Sequence, residues 1–390
     1  MLFPILTRHR NNASRLFLCL LMLPASAHFA NADQAQNTRV ALGQRLFFDT
    51  RLSFNGTQSC ATCHDPQAGF VDPRQIEDGA ISLGADGSSK GDRSAPTISY
   101  ARHIPSFQNK GNGLYAGGQF WDGREPDLEA QAAGPILNPI EMAMPSKSAV
   151  VARIQEDSSY RQAFQKVFGE SIFDDTETAY KAIAQSIAAF ERTSFFSPFD
   201  SKYDRYLSGA YQPTEQEELG MTLFFSDQFS NCNKCHQLKE RPSAAGETFS
   251  NYEYHNIGVP INEKVRTSNA SDPGYRDEGL FANPHVNDSR QAGKFKVPSL
   301  RNVAITAPYM HNGVFQELRT VVAFYNHYNS KSESRQINPE TGQHWSPPEI
   351  DQNLSLDLLN HGPALDDERI DALVAFMRML TDKRYESFLE

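Results

Sequence analysis

Cys60-Ala61-Thr62-Cys63-His64 and Cys232-Asn233-Lys234-Cys235-His236 are the two stretches of this chain that determine its fold. Each has the C-x-x-C-H form of a c-type haem attachment site. Two thiols three positions apart can each add across one vinyl group of the same porphyrin, and the adjacent histidine is then held beneath the ring as an axial iron ligand. The chain has five cysteines. Cys19 lies in an N-terminal apolar run, so the other four are all used by the two motifs. A single zinc on four cysteines would leave both histidines unexplained. A redox-active C-x-x-C pair is disfavoured because no thioredoxin-like strand and helix pattern surrounds either motif.

The N-terminus reads as a targeting segment rather than structure. Arg8, Arg10 and Arg15 flank an apolar run, Leu16 to Pro24, which is too short to span a bilayer. Ala25-Ser26-Ala27 and Ala30-Asn31-Ala32 follow as small-residue cleavage patterns. Residues 1–32 therefore read as a signal peptide and the mature protein as periplasmic, with no membrane span. With 390 residues, 39% of them hydrophobic, the chain can bury a sizeable core, and its length suits two domains. The formal net charge of −10 argues against nucleic acid or anionic membrane as partners, and otherwise describes a solvated acidic surface.

A short internal echo precedes the two motifs. Leu42-Gly43-Gln44-Arg45-Leu46-Phe47-Phe48 and Leu219-Gly220-Met221-Thr222-Leu223-Phe224-Phe225 share the pattern LGxxLFF. It predicts two related haem domains, each with a short amphipathic helix whose Leu and Phe lie against the haem edge. A further helix is predicted from about Thr176 to Phe196, ending at Ser197-Pro198, with the domain junction nearby. A closing helix runs from about Asp367 to Thr381, capped by Asp366 or Asp367. Strand signals are sparse and the intervening segments are rich in Gly, Pro, Asn and Asp. The expected fold is mainly α: two cytochrome c-like haem domains, 33–205 and 206–390, around a shared interface.

Beyond the attachment sites, four stretches carry a resemblance: Gly117-Gly118-Gln119-Phe120-Trp121-Asp122-Gly123-Arg124, Leu137-Asn138-Pro139-Ile140-Glu141-Met142, Val297-Pro298-Ser299-Leu300-Arg301-Asn302 and Ala307-Pro308-Tyr309-Met310-His311-Asn312-Gly313. In this order they resemble the dihaem cytochrome c peroxidase superfamily over essentially the whole mature chain, and within it the methylamine-utilisation branch. The resemblance implies two covalent haem c groups. The first is held by Cys60, Cys63 and His64 and open to H2O2 on its far side. The second is held by Cys232, Cys235 and His236, with Tyr325 as distal ligand where ordinary dihaem peroxidases have Met. A hard phenolic oxygen favours higher iron oxidation states than a soft thioether does. Read from the residues alone, Tyr325 is a core aromatic beside Phe324 and Tyr328; Met310 and His311 are its rivals as ligand.

The same resemblance implies that Glu141 is the acid–base group of peroxide cleavage, that Gln131 and Pro135 line that region, and that Trp121 relays electrons or holes between the haems. Taken alone, Glu141 would more often be a helix-start residue and Trp121 a buried structural indole. A Ca2+ between the haems is implied at Thr306, Pro308 and Ser94, the last standing where the family has Asn. The implied reaction uses H2O2 to oxidise a protein substrate, the methylamine dehydrogenase precursor, so maturing its tryptophan tryptophylquinone. The alternatives are a peroxidase fed by a small periplasmic electron donor and a non-catalytic electron-transfer cytochrome. The latter would need neither a distal Glu nor an open site. No surface aromatic is apparent near the second motif, where Ser230 precedes Asn231.

Overall fold

The computed structural model describes residues 25–76, 80–242 and 244–390. The expected apolar leader lies outside these residues. The candidate cleavage positions Ala27 and Ala32 fall within the first helix.

Among the described residues the chain forms twelve α-helices: α1 (Ala25–Phe47), α2 (Cys60–Cys63), α3 (Leu128–Leu137), α4 (Lys147–Glu156), α5 (Ser158–Phe168), α6 (Thr176–Glu191), α7 (Lys202–Leu207), α8 (Glu215–Phe224), α9 (Glu263–Ser268), α10 (Leu318–His327), α11 (Leu356–Leu359) and α12 (Asp367–Arg378). Strands are confined to three two-stranded antiparallel ladders: β1 (Gln108–Gly111) with β2 (Leu114–Ala116), β3 (Tyr254–His255) with β4 (Phe295–Lys296), and β5 (Ile337–Asn338) with β6 (Gln343–His344). The fold is mainly α. No helix among the described residues is long and apolar enough to cross a membrane.

The chain divides into two units, Met1–Asn37 and Thr38–Glu390. The described part of the first is the beginning of α1. The second holds two hydrophobic cores. One runs from Leu42 to Phe196 and joins α1, α3, α4, α5 and α6. The other runs from Tyr203 to Leu380 and joins α7, α8, α10 and α12.

The LGxxLFF echo has a structural cause in each core. A Cβ placed on Gly43 would lie 1.8 Å from the carbonyl oxygen of Ser186 and 3.1 Å from Cβ of Phe190, both on α6. One placed on Gly220 would lie 1.8 Å from the carbonyl oxygen of Ala372 and 2.9 Å from Cβ of Phe376, both on α12. In each half a glycine lets two helix backbones touch. Leu46 and Phe47 in one half, and Leu223 and Phe224 in the other, are then buried beside the crossing. The helix before the first motif is longer than expected, spanning 23 residues.

Helix ends follow ordinary capping chemistry. Asp175 accepts from the Thr178 amide at the start of α6, and Asp366 accepts from Arg369 at the start of α12. The α6 helix stops at Glu191, before the predicted Phe196, because Thr193 turns back onto the Phe190 carbonyl and Phe196 onto that of Thr193.

Buried polar groups brace the second core and tie it to the first half. Arg301, fully buried, donates to both carboxylate oxygens of Asp204 (2.6 and 3.0 Å) and twice to the Glu247 carbonyl (2.8 and 2.6 Å). Asp382 accepts from the hydroxyl of Tyr100 at 2.5 Å and from the side-chain amide of Asn302 at 2.9 Å.

Candidate functional site: two haem attachment centres

The two C-x-x-C-H segments fold alike. In each, the histidine amide donates to the carbonyl of the first cysteine at 2.9 Å, a single tight turn that brings both thiols and the imidazole together. The imidazoles are held the same way. Nδ1 of His64 donates to the Phe70 carbonyl at 3.2 Å and Nδ1 of His236 to that of Phe249 at 3.1 Å. A histidine whose Nδ1–H is fixed by a carbonyl presents Nε2 as the basic nitrogen, the form that ligates a metal. Burial lowers the pKa of both, His236 to about 4, and keeps them neutral.

The four cysteines are not paired as disulfides. Burial raises all four thiols, Cys63 to about 11 and Cys235 to about 12. Neutral buried thiols beside a neutral imidazole fit thioether attachment of haem, and they do not fit a reactive redox pair, which needs a lowered thiol pKa.

The second centre opens into a cavity lined by Cys232, Cys235, His236, Tyr325, Met310 and Trp121, with Leu300, Leu318, Leu373 and Met377 among its apolar walls. Such an apolar cavity behind C-x-x-C-H suits a porphyrin. Tyr325 enters from α10, and its hydroxyl has no hydrogen-bond partner among the described residues. Burial raises its pKa, and its proximity to Cys235 and Cys232 adds to the shift. Both rival ligands also line the cavity. Met310 sits in a left-handed turn (φ 73°), and His311 is stacked on Phe295 with centroids 3.6 Å apart. Against the expectation of no surface aromatic near the second motif, Phe229 is 40% accessible and also lines this cavity.

At the first centre, Glu141 does not start a helix. It lies in a turn after α3, ahead of α4, which Ser146 caps. Burial raises its pKa, against the charge of Arg124 and a bond from Asn138, and Glu141 is near enough to Cys63 to raise that thiol in turn. Gln131 and Pro135 belong to α3. Pro135 has no N–H, so the Gln131 carbonyl loses its intrahelical donor and the helix is weakened one turn before Glu141.

Trp121 is tied in place rather than simply packed. Its Nε1 donates to the Ser94 carbonyl at 2.9 Å, its own carbonyl accepts from the Lys296 amide at 3.0 Å, and the Ser94 amide donates to His311 at 2.8 Å. Beside it, Arg93 bridges Asp122 (2.7 Å) and both oxygens of Asp277 (2.7 Å each). Among the described residues, no hydrogen bond ends on the carbonyls of Thr306 or Pro308.

Two attachment sites of this kind in a mainly helical frame define a dihaem c-type cytochrome. The comparisons with known proteins agree. A family model described as di-haem cytochrome c peroxidase matches residues 37–212. The chain is 51% identical to the methylamine utilization protein MauG of Paracoccus denitrificans over 95% of each chain. It is 36% identical to the cytochrome c551 peroxidase of Nitrosomonas europaea, covering 73% of this chain and 70% of that one. The solved diheme peroxidase BthA of Burkholderia thailandensis superimposes with a TM-score of 0.78 at 32% identity, covering 89% of this chain and 87% of that one. The chain belongs to the dihaem cytochrome c peroxidase family. It is a haem-dependent oxidoreductase with two haem groups.

Proposed function

We propose that this chain is a periplasmic MauG-type enzyme that uses H2O2 to oxidise a protein substrate, the methylamine dehydrogenase precursor, and so completes its tryptophan tryptophylquinone. The observation that carries this reading is Tyr325, a half-buried phenol without a hydrogen-bond partner that lines the cavity of Cys232, Cys235 and His236. The identity with a methylamine utilization protein over nearly the full length supports it.

When bound, the haems supply the redox chemistry: peroxide reacts at the first, and oxidising equivalents are held across the pair. The chain's own residues do the rest. Nε2 of His64 would hold the iron of the first haem and Nε2 of His236 that of the second. The Tyr325 oxygen would be a second ligand to the iron of the second haem, and the first haem would be the one that takes peroxide. Glu141, its pKa raised by burial, holds a proton more readily than a solvated carboxylate and can shuttle it between the two peroxide oxygens. Gln131 and Pro135 shape the α3 wall of that site. Trp121, fixed at Nε1 by Ser94, stands at the wall of the second cavity as the relay. A Ca2+ held by the carbonyls of Thr306 and Pro308 and by Ser94 fits the oxygen-ligand preference of that ion. The haem domains are taken as 33–205 and 206–390, after a cleaved leader of residues 1–32.

The test is to incubate the holoprotein with H2O2 and the methylamine dehydrogenase precursor. The quinone absorbance and the tryptophan crosslink, read by mass spectrometry, should appear only with enzyme and peroxide together. Rapid H2O2 turnover with a small reduced cytochrome and no change in the precursor would instead identify a conventional peroxidase.

A further inference from the structure

The two helix crossings can be laid on one another. Gly43 meets the Ser186 carbonyl and Phe190 on α6, and Gly220 meets the Ala372 carbonyl and Phe376 on α12. In that register Ile187 corresponds to Leu373 and Glu191 to Met377. Leu373 and Met377 both line the second haem cavity. The equivalent places at the first centre are held by an apolar residue and an acid.

Glu191 is an unusual residue for that place. It is only 5% exposed, and its Oε2 has no hydrogen-bond partner. It is close enough to Cys60, on α2, to raise that thiol. The cation next to it, Arg192, is already committed to Glu129 of α3, with 2.6 Å to each carboxylate oxygen. The surrounding helices α1 and α4 contribute Leu42, Leu46, Phe47, Val150, Val151 and Ile154 to the same core, all apolar. Burial, aided by Glu129 and opposed by Arg192, raises the carboxyl pKa to about 8.

We infer that Glu191 faces the edge of the first haem as a proton-exchanging acid, where the second haem meets the thioether of Met377, and that it couples reduction of the first haem to uptake of one proton. An outer-sphere one-electron donor reduces ferric iron to ferrous. The charge gained raises the proton affinity of the Glu191 carboxylate, which takes one H+ from solvent to become the neutral acid. Reoxidation returns the electron and the proton. The two haems of one chain thereby differ, with one proton-linked and the other not. The inference rests on haem at Cys60, Cys63 and His64, and a pyridine haemochrome count checks that independently.

The experiment is a spectroelectrochemical titration of the holoprotein across neutral and mildly alkaline pH, the haems being distinguished by EPR, for wild type, Glu191→Gln and Glu191→Met. In wild type the midpoint of the first haem falls as pH rises, approaching 59 mV per tenfold change in proton activity. In both variants that slope disappears and the second haem is unchanged. A wild type without the slope, or a slope that survives in both variants, overturns the inference. Should both variants bind fewer than two haems, redox-difference infrared spectra of the wild type decide. A protonated-carboxyl carbonyl band that appears on reduction and shifts with isotopically labelled glutamate supports the coupling, and its absence refutes it.

Discussion

Replacing Gly220 with alanine tests the packing on which the second centre is built. The added methyl would stand 1.8 Å from the Ala372 carbonyl oxygen and 2.9 Å from Phe376 Cβ. The oxygen belongs to the backbone of α12, so no side-chain rotation relieves the clash. The two helices must part by about 1 Å or more, and overpacking of a well-filled core costs about 1–3 kcal/mol. Alanine's better helix propensity returns about 1 kcal/mol. The backbone contact places the cost at the upper end, for a net loss of about 2 kcal/mol. If the half around α8 and α12 melts as a unit of about 150–250 residues, that loss lowers Tm by about 4–8 °C. The damage should also be local. Phe376 lies 4.9 Å from Phe224, and Phe224, Leu373 and Met377 line the second cavity. Gly220→Ala should therefore shift the absorption of the second haem and leave the first alone, and Gly43→Ala should do the reverse. Thermal melts by circular dichroism, with haem spectra on the same samples, measure both effects. Variants as stable as wild type, or more so, would mean that propensity outweighs the contact and that the glycines are not there for close approach.

The remaining predictions concern chemistry. Glu141→Gln should preserve both haem spectra and slow the reaction with H2O2 by roughly 10²-fold or more, the usual worth of a positioned acid–base group; stopped-flow mixing reads the rate, and an unchanged rate would return Glu141 to a structural role. Asp277 should contribute acid-sensitive stability. Burial works to raise its pKa, but the paired bonds and charge of Arg93 more than offset this and hold the carboxyl well below the ordinary range. A lowered folded-state pKa gives stability that is present above the ordinary carboxylate pKa of about 4 and is lost as pH falls through the folded value. Melts in increasingly acidic buffer should thus show a smaller loss for Asp277→Asn than for wild type, from a lower starting point at neutral pH. Equal acid dependence would contradict the assignment.

How much of this was legible beforehand depends on the range of the interaction. Two haem groups could be read from the sequence, because in each C-x-x-C-H motif five consecutive residues hold the whole chemistry. The LGxxLFF echo was visible as a pattern, but its leading reason, a glycine beneath a helix crossing, required α6 and α12 to be in place. The position of Glu141 could be read only as a helix start, since the turn that holds it depends on Pro135 and Ser146 on either side. Asp277 and Arg93, or Tyr100 and Asp382, lie too far apart in sequence for any pattern to pair them. Glu191 gave no signal at all. An acid at the end of a helix reads as solvated until the structure buries it.

Tyr325 rather than Met310 is proposed to close the second haem, and the spectrum and activity of Tyr325→Phe beside Met310→Leu test this most directly. Removing one hydroxyl that has no hydrogen-bond partner costs at most on the order of 1 kcal/mol, so Tyr325→Phe should fold and hold both haems. Its second-haem spectrum should change to that of an open or water-bound site, and H2O2-driven oxidation of the methylamine dehydrogenase precursor should stop, while Met310→Leu keeps both. A wild-type spectrum in Tyr325→Phe together with an altered one in Met310→Leu would contradict the account and make this chain a peroxidase with a thioether ligand.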